Sequence, residues 1–438
     1  MLTCVDPNYP SELVAVQPLL PYFLQTKLKK ADRIFTESLL KAYVNYYFQA
    51  SASYTHLMQS KQAYEKFMGI SLVKWEYENI YHALQLGLQY KIRTFNMWDC
   101  LFNYLKIENK QKQRFKLTKD YYEQLSHYEE EHQYPEIARD IVAILGGLGD
   151  CYKNQRQFKK AQQLYLEILS LIPTIDNLDD KNKQWDIATT YHQLGLISNH
   201  LKEYQVAKKY YIKSLEIYDD IEEESEKAGT YSELGTINQQ LKEYSEAQSN
   251  YHKALKIFEK PKNPKDKDDV GLSYIHHNLG GLAYTLGNFS QAQYHYEQAL
   301  PIKIRFGDHK AITNTLNSLG DIAQQLGNFE RAREYHQNAL DVCIKNRDRF
   351  SLANTYRSFG LLETNMSEFG QAKDYLFKAL YLFAEFQHEL GWAASIKNLG
   401  GLYQKSKDNS IAIELAPILN ITVIQAKELL KRNNNDKN

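Results

Sequence analysis

Apolar residues recur along this chain three and four positions apart, the period of an α-helix that buries one face. From about residue 139 that pattern becomes a repeated unit. In each copy an apolar residue and a Gly, Leu-Gly in most, lie on a first helix, a turn comes next, and an Ala falls 12 residues after the Gly. The pairs are Gly149/Ala161, Gly195/Ala207, Gly235/Ala247, Gly280/Ala292, Gly320/Ala332, Gly360/Ala372 and Gly400/Ala412. Successive glycines stand 46, 40, 45, 40, 40 and 40 residues apart. A period of this size predicts a solenoid of stacked helical hairpins. Residues 231–258 give the pattern well: Leu234, Gly235 and Ile237 on the first helix, then Ala247, Tyr251, Ala254 and Leu255 on the second. The Gly is expected to let the two helices of a hairpin approach closely. The first Ala marks their contact, the aromatic one turn later fills the gap, and the second Ala makes room for the next repeat.

Residues 1–138 read as helical without repeating. Pro18-Leu-Leu-Pro21 breaks an early segment, and an amphipathic stretch runs from about Asp32 to Lys61. Trp75 to Tyr90 has Ile80, Leu84, Leu86 and Leu88 at helical spacing, and Trp98–Leu105 with Leu117–Tyr128 predicts a further hairpin. Two longer connections, Pro173–Gln184 and Pro261–Asp269, read as solvated loops. In the fourth and fifth repeats the turn is Leu-Gly-Asn-Phe, where both Gly and Asn suit the left-handed conformation that ends a helix. The seventh repeat decays: Asn409 replaces the turn aromatic and Pro417 interrupts the stretch beyond it. Residues 422–438 then supply an amphipathic helix to cover the last apolar face, and a disordered tail from Asn433. The expected fold is all-α: a right-handed α-solenoid of about seven hairpins over 139–421, with a helical N-terminal region and a capping helix.

Composition changes this picture little. Lys plus Arg and Asp plus Glu are both 53, so nothing global points to nucleic acid or to an anionic membrane. No run approaches the length of a membrane span. The four cysteines are scattered without metal-ligand spacing, which fits a reducing, cytoplasmic setting. Of the 34 tyrosines, Tyr165, Tyr211, Tyr251 and Tyr296 occupy packing positions, which argues for core and against a stacking platform for bases. His276 and His277 point about 100° apart on a helix and share no metal ion. The Leu145-Gly-Gly-Leu-Gly149 run lies within a helix and has no Lys-Ser or Lys-Thr after it, so packing explains it. The acidic run Asp219–Glu226 reads as a solvated helix end. No catalytic set, cofactor or metal site is expected.

The order Leu-Gly, Ala, Tyr, Ala resembles the tetratricopeptide repeat, most closely its 40-residue subtype with elongated helices, as in Pins-type polarity adaptors and kinesin light chains. Upstream, VQPLLPYFLQTKL (16–28) resembles the end of a winged-helix segment. KWEYENIYHALQLGLQ (74–89) resembles an E-x-D-N-x-x-x-A-L-x-W-A-L segment. In STAND signal-transducing NTPases both lie between the nucleotide-binding core and a tetratricopeptide sensor. The chain has no G-x-x-x-x-G-K-[ST] motif, so this second resemblance implies a sensor portion without its motor.

The tetratricopeptide resemblance implies that the first helix of each hairpin lines a concave face. It turns the positions 3 and 2 before the Gly, and 1, 4 and 5 after it, toward a ligand. The candidate groove residues are His192, Gln193, Asn199, Glu233, Gln239, His277, Asn278, Tyr284, Asn317, Asp321, Gln324, Arg357, Lys397, Asn398 and Gln404. Repeated amides both donate to and accept from an extended backbone. Arg357, Lys397 and Lys405 make the C-terminal end basic, so the partner is expected to be acidic there. The expectation is a cytoplasmic, non-enzymatic scaffold or sensor that binds a protein or peptide. The alternatives are a peptide-responsive regulator and the sensor portion of a STAND-type system.

Overall fold

The computed structural model describes residues 33–60, 62–126, 135–175, 179–260 and 268–432. The Pro18–Pro21 break, the 16–28 segment, most of the Pro261–Asp269 connection and the tail from Asn433 lie outside the described residues. Among those described there are nineteen α-helices and no strand. The chain divides into two compact units, 1–217 and 218–438, and each is described by itself.

The first unit holds α1 (Arg33–Gln59), α2 (Ala63–Gln89), α3 (Phe95–Ile107), α4 (Gln111–Ser126), α5 (Pro135–Asn154), α6 (Phe158–Leu171), α7 (Asp180–His200) and most of α8 (Tyr204–Asp220). Each helix packs on its sequence neighbour from α1 to α7, and α1 also packs on α3. The core of α1–α4 is built on Val44, Val73, Ile80, Leu84, Met97 and Leu101, all fully buried. Glu76 is buried in the same core with hydrogen bonds to meet its charge. Its carboxylate accepts from the Tyr47 hydroxyl at 2.8 Å and from Asn79 Nδ2 at 2.7 Å.

The second unit pairs α9 (Glu224–Gln240) with α10 (Tyr244–Glu259), α11 (Asp269–Thr285) with α12 (Phe289–Phe306), α13 (His309–Gln325) with α14 (Phe329–Asn346), and α15 (Arg349–Asn365) with α16 (Phe369–Glu385). α17 (Glu389–Ser406) and α18 (Ser410–Leu419) come next, and α19 (Val423–Arg432) closes the stack by burying Ala426 and Leu430 against both. In the acidic run Asp219–Glu226, Asp219 and Glu224 both pair with the buried Lys227. No single described helix is long and apolar enough to cross a membrane.

Two expectations are corrected. The repeat Gly chiefly seats a side chain sixteen residues on, from the second helix of the same hairpin, and at Gly360 an added methyl would also meet backbone, the Ala372 carbonyl at 3.3 Å. A methyl built on Gly149, Gly195, Gly235 or Gly280 would stand 2.5–3.0 Å from the ring of Tyr165, Tyr211, Tyr251 or Tyr296 respectively. His336 and Leu376 take the same seat over Gly320 and Gly360. The turn also divides its labour differently. Only Gly287 and Gly327 are left-handed (φ +75° and +78°). Asn288 and Asn328 have φ −87° and −93° and cap the next helix, accepting from the backbone N–H groups of Gln291 and Arg331.

Candidate functional site

In the second and fourth repeats the residue three before the Gly lies against the seated ring. His192 meets Tyr211 edge-on at 5.5 Å, and His277 meets Tyr296 likewise at 5.1 Å. Burial keeps both imidazoles uncharged, pushing each down to about 4, and the neighbouring Lys153 and Lys303 ammonium groups add to the effect. His276 faces away into the core, Nδ1 to Nδ1 at 3.1 Å from His295.

In the first unit α5 and α7 bring together Asp150, Lys153, His192 and Gln193. Lys153 Nζ donates to Gln193 Oε1 and pairs with Asp150, both at 2.8 Å, while the Tyr165 hydroxyl also reaches Asp150 at 3.2 Å. Asp150 and Lys153 are absent from the sequence-derived set. Their signal was present, since they stand one and four residues after Gly149, the register used for the later repeats. Asn199 lies half-buried one turn further along α7.

In the second unit the candidates fall into three groups. Some are tied within the chain. Asn317 is buried, donating to Thr355 Oγ1 at 2.9 Å and lying 3.3 Å from His336 Nδ1. Gln239 accepts from the Tyr251 hydroxyl at 3.2 Å, and Gln404 donates to the Lys431 carbonyl at 3.3 Å. Some are ionisable and crowded. Burial raises the Glu233 carboxyl above its ordinary range. Asp321 is pushed up to about 6 by burial, against the opposing pull of Arg357 and the Ser358 hydroxyl. The third group keeps polar atoms unpaired. Gln324 Oε1 and Asn398 Nδ2 are buried without a hydrogen-bond partner, while the Asn278 amide lies beside the Tyr274 hydroxyl. Leaving such a group unmet costs about 1–3 kcal/mol. Tyr284, braced edge-on by Phe289 at 5.5 Å, and Lys397 remain exposed.

The Asp321 shift has a testable sign. A folded-state value above the ordinary carboxylate range means that the native state holds this proton more tightly than the unfolded chain. The stability it contributes is therefore present below pH 4 or so and lost as pH rises through about 6. Asp321→Asn should flatten that fall, so the urea midpoints of variant and parent should diverge between pH 4 and 7, with the variant more stable at 7. Parallel midpoints would contradict the reading. His336, 3.7 Å from Asp321, is held neutral above about 4 by burial and adds no countercharge in this range.

Five of the seven repeats are tetratricopeptide repeats. Tetratricopeptide family models match residues 142–175, 186–260 and 311–385. Solved structures agree on the fold. The quorum sensor NprR of B. thuringiensis, in its apo form, aligns with a TM-score of 0.60 at 16% identity, over 89% of this chain and 99% of that one. Apo RapI aligns at 0.50 and 14% identity, over 67% and 99%. A signal-transduction ATPase with numerous domains, carrying a tetratricopeptide sensor, from Pyrococcus horikoshii aligns at 0.53 and 16% identity, over 81% of this chain and 55% of that one. No curated protein matches the sequence.

Proposed function

We propose that the chain is a non-enzymatic, cytoplasmic sensor or scaffold that holds a peptide or protein segment against the first-helix faces of its repeats. The observation that carries this reading is the set of unpaired amide groups on that face. Gln324 and Asn398 stand at candidate ligand-facing positions, and each keeps a buried donor or acceptor unmet. A rod selected only for rigidity gains nothing from such groups, whereas an extended backbone supplies the matching carbonyls and N–H groups. The buried free thiols Cys100, Cys151 and Cys343 suit a reducing compartment.

Arg357 and Lys397 give the second unit's face its positive end and favour an acidic segment there. The double charge reversal Arg357→Glu/Lys397→Glu is expected to weaken capture of a partner at least about tenfold, the size of a lost charge-assisted contact. Because Arg357 also lies beside Asp321, the circular dichroism melt of the double variant should fall somewhat, and capture is compared at a temperature where both chains are folded. Quantitative pull-down against the parent measures it, and undiminished capture would refute the groove reading.

Regulation by a bound peptide, rather than passive scaffolding, is supported by the likeness to a quorum sensor and to a STAND sensor module. Under that reading the hydrodynamic radius changes when the ligand binds. The 74–89 segment, which forms the second half of α2, keeps the STAND-sensor alternative open for this chain.

A further inference from the structure

The fourth repeat breaks the packing rule that the others obey. Twenty-three residues after the repeat Gly, the second helix presents a side chain to the next repeat. The occupants in chain order are Ile172, Tyr218, Phe258, Lys303, Cys343 and Phe383. Ile172, Tyr218, Cys343 and Phe383 are at most 2% exposed, and Phe258 packs in a buried cluster. The seat they fill is visible at Gly271 and Gly391, where an added methyl would strike Phe258 or Phe383. Lys303 alone puts a charge there.

The surroundings have adapted to an ammonium group. Lys303 Nζ donates to Thr315 Oγ1 at 2.7 Å and to His277 Nδ1 at 3.0 Å. Thr315 passes its own proton to the Ala311 carbonyl at 2.8 Å, which leaves its lone pairs free for the lysine. His277 stays neutral to about 4 and so accepts rather than repels. Among the described residues no carboxylate stands within ion-pair distance of Nζ. The nearby Asp269 is taken by Arg305, and Asp308 caps α13 through the Ala311 N–H. Burial pushes the amine down to about 8, so it is still protonated at neutral pH. The Asp308 carboxylate favours the ammonium from beyond ion-pair distance, which leaves a partly buried charge that a closer anion would compensate further.

Because lysine does not fill the apolar seat, a cleft of about 280 Å³ opens between α11, α12 and α13. Its apolar walls are Val270, Tyr274, Ile302 and Phe306, and its polar groups are Ser273, His277, Lys303, Asp308 and Asn314. Sites that enclose a whole drug-sized ligand run to about 300–1,000 Å³, so this one accepts a small molecule or one end of a longer one. We propose that the cleft binds a carboxylate carried on an apolar stem, with the Lys303 ammonium as its counter-ion. The inference goes beyond the groove reading. It shares only His277 with it and rests on a second-helix residue that the groove does not use.

The probes are N-acetyl-leucine, its uncharged amide, and a five-residue peptide ending in leucine with a free carboxylate, titrated calorimetrically into the full chain and into Lys303→Met. Met supplies an apolar side chain of similar length, so the variant is expected to melt roughly 2–4 °C higher. At least one acid should bind the parent, the amide should not, and the variant should bind at least tenfold more weakly. Binding by the peptide alone identifies a chain terminus as the source of the carboxylate, and binding by both identifies the simple acid as sufficient. Absence of acid binding, equal binding of the amide, or undiminished binding to Lys303→Met would overturn the proposal. None of these results bears on the Arg357 and Lys397 test, so the two readings fail separately.

Discussion

Gly195→Ala is expected to destabilise the chain by about 2 kcal/mol, although alanine is the better helix former. The helix gains about 1 kcal/mol from the exchange. Against this, the new methyl would stand 2.5 Å from Tyr211 Cε1 and 2.8 Å from both Cδ1 and Cζ. Carbon atoms prefer about 3.5–4.0 Å, and the Tyr211 ring is fully buried with no open side to move into. Overpacking of this kind costs about 1–3 kcal/mol, and a clash along the body of a ring belongs at the upper end. The control is Gly229→Ala in α9, where an added methyl meets nothing within 4 Å. There only the propensity gain remains, and the variant should be more stable by about 0.5–1 kcal/mol. Urea unfolding of the two variants beside the parent measures both. A common sign for the two substitutions would mean that the repeat Gly is a helix-breaking relic rather than a seat.

A second large effect is expected at Arg333. Its guanidinium reaches from α14 to Glu363 on α15, with contacts of 2.8 and 3.0 Å from Nη2 and 3.2 Å from Nε. The carboxylate is 1% exposed while the guanidinium is 37% exposed. Arg333→Met therefore leaves the buried member of the pair without its partner. Stranding a buried charge costs about 3–5 kcal/mol, and water reaching the vacated side places this case near 3. The double variant Arg333→Met/Glu363→Leu removes both charges and should recover most of the loss, since the pair's attraction is largely offset by desolvation. A double variant no more stable than Arg333→Met would show that the pair acts through packing rather than charge.

These two sites mark what the sequence discloses and what it hides. Periodicity places every hairpin, because a helix that buries one face must repeat its apolar residues every three to four positions. The Gly, Ala and aromatic spacing gives the register of the ring, yet it does not say whether the glycine faces a backbone or a ring. Only the direction of the Tyr211 side chain decides that. Pair contacts between repeats, such as Arg333 with Glu363, span 30 residues and leave no local trace. Lys303 was legible in principle, as a charge in a column of Ile, Tyr, Phe and Cys. That column becomes visible only once the second helix is known to carry an inter-repeat seat. In the candidate groove the amide column could be aligned from the glycines alone. Which of its members are tied to neighbours, as Asn317 is, and which stay unpaired, as Gln324 does, depends on three-dimensional reach.

The hairpin turns carry a consequence of another kind. Seven residues after each repeat Gly the backbone is left-handed, yet the occupants are Arg156, Lys202, Lys242, Gly287, Gly327, Ser367 and Lys407. An ordinary residue in that conformation is disfavoured by roughly 1–2 kcal/mol. A glycine avoids this but leaves the unfolded chain with more freedom to lose, worth about 0.4–1 kcal/mol. The second penalty offsets only about half of the first, so glycine remains the more stable occupant by roughly 0.5–1 kcal/mol. The turns at Arg156, Lys202, Lys242, Ser367 and Lys407 therefore each forgo a small stabilisation that glycine would supply.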